Sequence, residues 1–348
     1  MSKRPWSDFS SCTSQTFVKD LLVDALPVSP IDLCDMRSHR RAERVNACGG
    51  HDPIRIHVAY AQDYLAYDDN GVLYTPDEET YKKLPREKRL NKFGLAYRHD
   101  AQLYLHKTLG DIIVGAAVYL YNTHGWRTVI YDGLRTMEGA YKLYCFAPES
   151  DITGGLLALP GQSAHNKGMA VDSMMEDANG HEVDMGGHFD HLDMESNNRV
   201  YTGYAISIAA KQNRLIREAA FLRSALTQNM LVAPLRSEFW DDRLPENRED
   251  LWRVLDSAAR CLGITLLTAE DLQLRKTDKK LFSQKWERWS YSDFLAKWRE
   301  VFKGREAELI KLFGIATPPV RERVEFYHGN YQPIYDRDLV ASGKNLTC

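Results

Sequence analysis

The densest run of chemistry-bearing side chains is Ser163-Ala-His165-Asn-Lys-Gly168-Met-Ala170-Val-Asp172. An imidazole and a carboxylate seven positions apart flank a glycine turn and then an apolar pair. Both are good ligands for first-row metals. Gly168 permits a tight backbone reversal. The string therefore reads as a loop entering a strand and bringing His165 and Asp172 to one point. His-x6-Asp alone is a weak signal, and the whole string is a far more specific one.

Two further fragments supply what a hydrolytic metal site needs. In Glu325-Phe-Tyr-His328, His328 suits a third metal ligand and Glu325 a base that activates water. Three protein ligands leave one position open for chemistry. Residues three apart on a regular strand point to opposite faces, so this strand must bulge or end here, and Gly329 allows it. In Tyr131-Asp-Gly-Leu-Arg135, an arginine closes a β-prone run. It suits the stabilisation of a developing oxyanion. Taken alone, Arg135 reads equally well as half of a surface ion pair.

These fragments, in this order, resemble the zinc D-alanyl-D-alanine dipeptidases of the vancomycin-resistance (VanX) type. Val58-Ala-Tyr60-Ala61 is similar to that family's N-terminal Tyr-Ala segment, and Tyr131 to Arg135 to its arginine motif. Ser163 to Asp172 matches its Ser-x-His-x-x-Gly-x-Ala-x-Asp zinc motif. Met185-Gly-Gly-His-Phe189-Asp190, followed by Ser196, resembles its Met-Gly…Phe-Asp…Ser loop, and Glu325 to His328 its Glu-x-Trp-His motif. The resemblance implies Zn²⁺ held by His165, Asp172 and His328. It also implies Glu325 as general base and Arg135 on the tetrahedral intermediate. Tyr60, Ser163 and Asp190 would hold the ends of a small dipeptide, with Asp190 on its ammonium group. Thr136 and Tyr327 depart from the family's proline and tryptophan. A rival fragment, Glu238-Phe-Trp240-Asp241, also resembles Glu-x-Trp-His and lies nearer the zinc motif. It has lost the histidine, and Arg236, Asp241, Asp242, Arg243 and Pro245 give it the look of a polar loop, so Glu325 and His328 are preferred.

These residues need a scaffold. Leu105, Leu109, Ile112, Ile113, Ala116 and Leu120 predict a helix over about 100–124, stopped by Gly125. Arg127 to Tyr131 follows as a strand, and a short helix begins near Met137. Strands flank Asp69-Asn-Gly71, and 82–92 reads as an exposed loop. Helices are predicted over about 206–231, 247–262 and 291–313, and a strand over 321–336. Arg37, Arg40, Arg41 and Arg44 read as a solvated helix face. Trp286, Trp289 and Trp298 are expected to pack on the body rather than on a membrane surface. The fold the resemblance implies is α+β: a small antiparallel sheet with packed helices, of the hedgehog/D,D-peptidase kind. Because ligands lie on both sides of the surplus length, residues 51–348 read as one zinc peptidase domain. Residues 1–50 form an extension and about 232–320 a helical insertion.

Composition narrows the function. The chain has 348 residues, 44% hydrophobic and 27% charged, with a net charge of -3. A mix of this kind supports a core and gives no basic excess for nucleic acid or anionic lipid. No apolar run of membrane-spanning or signal-peptide length is present, and six scattered cysteines form no CxxC pair. The expectation is a cytoplasmic zinc dipeptidase with no membrane or nucleic-acid partner. Its alternatives are a D,D- or L,D-carboxypeptidase on peptidoglycan stem peptides and a non-catalytic zinc-binding module.

Overall fold

The strongly periodic segments build the centre of the molecule. The computed structural model describes residues 26–27, 32–62, 64–69, 72–85, 88–90, 96–147, 157–190, 206–235, 238–245, 250–318 and 331–345. Glu325, His328 and most of the strand expected over 321–336 lie outside these residues, as does Ser196. Within that stretch, Tyr331–Gln332 pairs parallel with Leu26–Pro27, and at its end a helix begins, Asp336–Ala341.

Five strands form the central sheet: β1 (Ile54–Ile56), β2 (Arg127–Asp132), β3 (Ala170–Glu176), β4 (Ala233–Pro234) and β5 (Asp241–Arg243). Their order across the sheet is β4-β5-β3-β2-β1. All pairs are antiparallel except β1 with β2, which is parallel, so the expected antiparallel sheet holds only away from that edge. Every residue of β3 is buried, because the sheet is covered on both faces there.

Helix α1 (Lys107–His124) lies beside the sheet and buries Leu109, Ile112, Ile113, Ala116 and Leu120 along one stripe. Gly125 ends it with φ 69°, a left-handed stop that costs glycine little. The helix begins later than the periodicity suggests. Tyr104–His106 is instead a strand paired with Leu33–Asp35, and the His106 ring accepts from the Thr108 amide to cap α1. After β2 comes α2 (Met137–Phe146). Helix α3 (Ile208–Thr227) packs against α1 where Gly115 leaves room: a Cβ there would stand 2.2 Å from Ser224 Oγ. Ser224 Oγ donates to the Ile112 carbonyl across this contact, at 2.7 Å.

The segment about 232–320 is not helical from its start, because β4 and β5 occupy its first residues. Its helices are α4 (Leu251–Cys261), two short helices over Ala269–Thr277 and Lys279–Phe282 that run on into a π turn at Ser283–Glu287, α5 (Tyr291–Val301) and α6 (Glu306–Phe313). The single helix expected over 291–313 is broken near Gly304, where φ is 78°. Glu218 on α3 accepts from Ser257 Oγ at 2.6 Å and Arg260 Nη1 at 3.0 Å, which ties α4 to the body. Trp298 joins the main core, while Trp286 packs with Trp252 and Phe282 in a second cluster, and Trp289 packs against both clusters. These tryptophans thus serve packing, as expected.

Two charged stretches behave differently from their composition. The 82–92 stretch is not all loop: Arg89–Leu90 pairs with the strand Leu65–Tyr67, which also forms a hairpin with Leu73–Tyr74. Arg44 is no solvated residue: it is buried and its guanidinium bonds Asp52 Oδ1 at 2.8 Å and the Met36 carbonyl at 3.0 Å. Its charge is compensated, so burial is tolerated. No helix among the described residues is long and apolar enough to cross a membrane.

Candidate active site

The Ser163–Asp172 string folds as its spacing suggests. Ser163 Oγ accepts from the His165 amide at 3.2 Å and caps a short 3-10 turn, Ala164–Lys167. Gly168 closes that turn with φ 67° and the chain enters β3. The buried Asn166 braces the turn from within. Its Oδ1 accepts from the Gly161 amide at 2.9 Å, and its Nδ2 donates to the Arg135 carbonyl at 2.8 Å.

Strand β2 delivers the next residues through an irregularity. Ile130 pairs with Ser173, but Asp132, not Tyr131, stands opposite Asp172. The extra residue kinks the strand end and turns Asp132 toward the site. Asp132 Oδ1 then accepts from Tyr97 Oη at 2.6 Å and from the Gly133 amide at 2.9 Å. Its Oδ2 takes Arg135 Nε at 3.1 Å. Arg135 is therefore half of a buried ion pair, and its guanidinium also lies 5.3 Å from the centre of the Tyr60 ring. Arg135 thus makes an ion pair, but a buried one and not the surface pair that the residue alone allows.

The imidazole of His165 is oriented by its backbone-facing side. Nδ1 lies 2.8 Å from the Gly133 carbonyl, so it carries the proton and leaves Nε2 as the free donor atom. Nε2 faces Asp172 Oδ1 and Asp241 Oδ2, each at 3.6 Å. Asp172 Oδ1 is buried without a hydrogen-bond partner. Asp132 lies on the other side of the ring, 3.6 Å from Nδ1.

Asp241 arrives from β5, where it pairs directly with Asp172 across the ladder. Glu238 stands three residues earlier, and the carboxylates of Asp172, Glu238 and Asp241 offer oxygens within 4.8 Å of one another. Asp132, His165 and Asp172 form an overlapping group of the same size. The stretch 238–243 is thus a strand and its approach, not the polar loop that its composition suggests. Asp241, Asp242 and Arg243 are paired: Arg243 Nε donates to Asp241 Oδ1 at 3.1 Å and its Nη2 bonds Oδ2. On the other face, Arg217 of α3 bonds the Asp242 carboxylate.

Electrostatics single out this cluster. Burial, with the charges of Asp241 and Asp172 beside it, pushes the Glu238 carboxyl up to about 8, although its side chain keeps some open surface toward the cavity. Burial also raises Asp172, helped by Asp241 and Asp132 and opposed by His165. Burial works against the charge of Asp241, but Arg243 and His165 hold its carboxyl well below the usual range. Burial likewise opposes a charged His165, yet Asp172 and Asp241 lift it to about 10, so a metal ion at this point would take the place of the Nε2 proton. Several carboxylates crowd one point in a covered site, an arrangement that favours a cation. One free imidazole nitrogen, two carboxylates facing it and an orphaned carboxylate oxygen fit a divalent metal.

A cavity of about 240 Å³ gathers these groups. Of the residues expected at the site, Tyr60, Arg135, Ser163, His165, Asp172 and Asp190 all line it. Glu238, Asp241 and Arg243 line it as well. Asp190 follows Phe189, whose ring stacks on Tyr131 with centroids 4.6 Å apart. Asp190 adopts φ 56°, a left-handed conformation unusual for a residue other than glycine. Glu325 and His328 lie outside the described residues. The sequence reading assigned no role to Arg243, Arg217 or Asn166. For Asp132 the signal in the sequence is its place at a strand end, before glycine and three residues ahead of Arg135.

The chain is similar to known proteins over this region. A family model described as D-ala-D-ala dipeptidase, peptidase family M15, matches residues 92–251. The D-alanyl-D-alanine dipeptidase of Escherichia coli (strain K12) is 30% identical over 164 residues, 45% of this chain and 74% of that protein. The chain belongs to the M15 D-alanyl-D-alanine dipeptidase family. As an M15 peptidase it carries a mixed α+β fold, and the expectation of D-alanyl-D-alanine peptidase chemistry holds at the level of the family. The M15 match contains Arg135, the whole Ser163–Asp172 string, Asp190, Glu238 and Asp241. It begins after Tyr60 and ends before Glu325 and His328.

Proposed function

We propose that this protein is a zinc-dependent dipeptidase that cleaves D-alanyl-D-alanine or a similarly small dipeptide. We assign the metal to His165 Nε2, Asp172 and Asp241, and the proton-moving role to Glu238. The observation that carries this reading is the convergence of those four side chains with Arg135 on one small cavity. The same assignment is supported by the reach of the family match, which includes Glu238 and Asp241. It replaces Glu325 and His328 as the preferred pair.

Zinc in that position supplies Lewis acidity, polarising a peptide carbonyl and drawing the pKa of water toward about 7. Glu238 takes a proton from the attacking water and returns it to the departing amine. A glutamate carboxylate beside the metal can take the proton, and burial next to Asp172 and Asp241 favours the protonated form that returns it to the amine. Arg135, held by Asp132, offers N–H donors to the carbonyl oxygen as it gains negative charge. Asp190 provides the carboxylate for the substrate ammonium, while Tyr60 and Ser163 stand where they can hold the other end. The cavity is smaller than the roughly 300–1,000 Å³ typical of drug-sized pockets, which suits a dipeptide.

Release of D-alanine from D-alanyl-D-alanine tests this reading. Activity should vanish after treatment with a chelator and return on adding zinc. Chelator-insensitive hydrolysis would contradict the metal assignment. Preferential trimming of a longer stem peptide would make the protein a carboxypeptidase, and metal binding without hydrolysis of either substrate would make it a binding module. Within the same assay, Arg135→Gln should lower kcat/KM by about 10²–10³-fold, the usual effect of losing one oxyanion donor. A loss under about three-fold would remove Arg135 from the transition state.

A further inference from the structure

The donor atoms at this site are mostly oxygens. His165 is the one imidazole lining the cavity among the described residues, and two carboxylates face its Nε2 at 3.6 Å. Imidazole nitrogen favours zinc, whereas carboxylate oxygen suits harder ions such as manganese(II). An ion held chiefly by carboxylates gains charge neutralisation, which any divalent cation shares. It gains less of the covalent donation from which zinc draws its advantage.

Arg243 reinforces this character. Its guanidinium spans both oxygens of Asp241, so only part of that carboxylate's lone-pair density remains for an ion. The arrangement fixes the carboxylate's direction and leaves Oδ2 as the atom toward Nε2. Asp241 is thus an oriented, charge-compensated oxygen donor rather than a strong nitrogen one.

We propose that Asp241 sets the metal preference of this site, making it accept manganese(II) with an affinity much closer to zinc's than a nitrogen-rich site allows. The proposal rests on the reading of Asp241 as a ligand. It concerns which ions the protein holds, a property separate from the peptide it cleaves.

Metal titration of the chelator-stripped, full-length protein tests it, with Zn²⁺ and Mn²⁺ each competing against a chelating indicator. Wild type, Asp241→His and Asp241→Asn are compared. Asp241→His should raise the zinc-to-manganese affinity ratio by about an order of magnitude, chiefly by weakening manganese. Asp241→Asn should weaken both ions. An unchanged ratio in Asp241→His, with both ions weakened in Asp241→Asn, would overturn the selectivity proposal while leaving Asp241 a ligand. Unchanged affinities in Asp241→Asn would overturn the ligand assignment itself. Wild type alone supplies an arm that needs no variant to fold. The electron paramagnetic resonance signal of free Mn²⁺ should fall as one equivalent of protein is added, and an undiminished signal would overturn the proposal.

Discussion

Glu238→Gln should lower kcat/KM for dipeptide hydrolysis by about 10²–10⁴-fold, the range expected when a positioned acid-base group is lost. Glutamine keeps the shape of the side chain but cannot accept and return a proton. The carboxyl it replaces sits against Asp172 and Asp241 and is lifted to about 8 by burial and those charges. The variant should still bind one metal ion, because His165, Asp172 and Asp241 are untouched. Metal stoichiometry therefore separates a lost base from a damaged fold. Glu325→Gln should leave the rate near that of the parent enzyme. The reverse pattern, with Glu325→Gln inactive and Glu238→Gln active, would return the base to the segment beyond the family match.

Arg217→Met should destabilise the protein by about 3–5 kcal/mol, the cost of leaving a buried charge without its partner. Arg217 is buried in α3 and its guanidinium makes three contacts on the stretch that carries Asp241 and one on β3. It donates to the Phe239 carbonyl at 3.0 Å, the Trp240 carbonyl at 2.9 Å and Ser173 Oγ at 2.9 Å, and it pairs with Asp242. Burial already pushes Asp242 up to about 7 with the arginine present, so without it the carboxyl must take a proton or force an opening. The same residue fastens β5 to β3, where the Ser173 amide donates to the Trp240 carbonyl at 3.0 Å. Urea unfolding of the metal-free protein checks the loss, and metal affinity should fall with it. Arg217→Met combined with Asp242→Leu should recover part of the stability, since neither charge is then buried alone. A loss under about 1 kcal/mol in the single variant would mean that the pair does not hold the strand, given that a buried pair is expected to cost several times more when broken.

What the sequence revealed follows from how local each feature is. His165 and Asp172 were legible because one short string contains both side chains, the cap at Ser163 and the turn glycine, and no distant partner is needed to read it. Helices α1 and α3 were legible because their apolar stripes repeat over several turns. Arg135 was legible as a strand-end cation, although its pairing with Asp132 emerged only with the bulge in β2. Tyr60, Ser163 and Asp190 came through resemblance and do line the cavity.

The stretch 238–243 was misread for a physical reason. Its high charge argues for solvent, but Asp241, Asp242 and Arg243 are each neutralised by a partner that hydropathy cannot see. Asp241 pairs with Arg243 two residues on, and Asp242 pairs with Arg217 from another element. Arg44 was misread in the same way, since Asp52 and three backbone carbonyls replace water around it. A short strand has too few residues to show alternation, and this one is recognisable only by its ladder to β3. The missing histidine at 241 also drew attention to Glu325-Phe-Tyr-His328, where both expected groups survive in sequence.

Anomalous diffraction at the zinc edge, from crystals of the zinc-loaded protein, tests the central assignment most directly. The account predicts one strong peak bonded to His165 Nε2 and to carboxylate oxygens of Asp172 and Asp241, with the Glu238 carboxyl beside it. A peak bonded to His328, with Asp241 turned away to Arg243 alone, would contradict it.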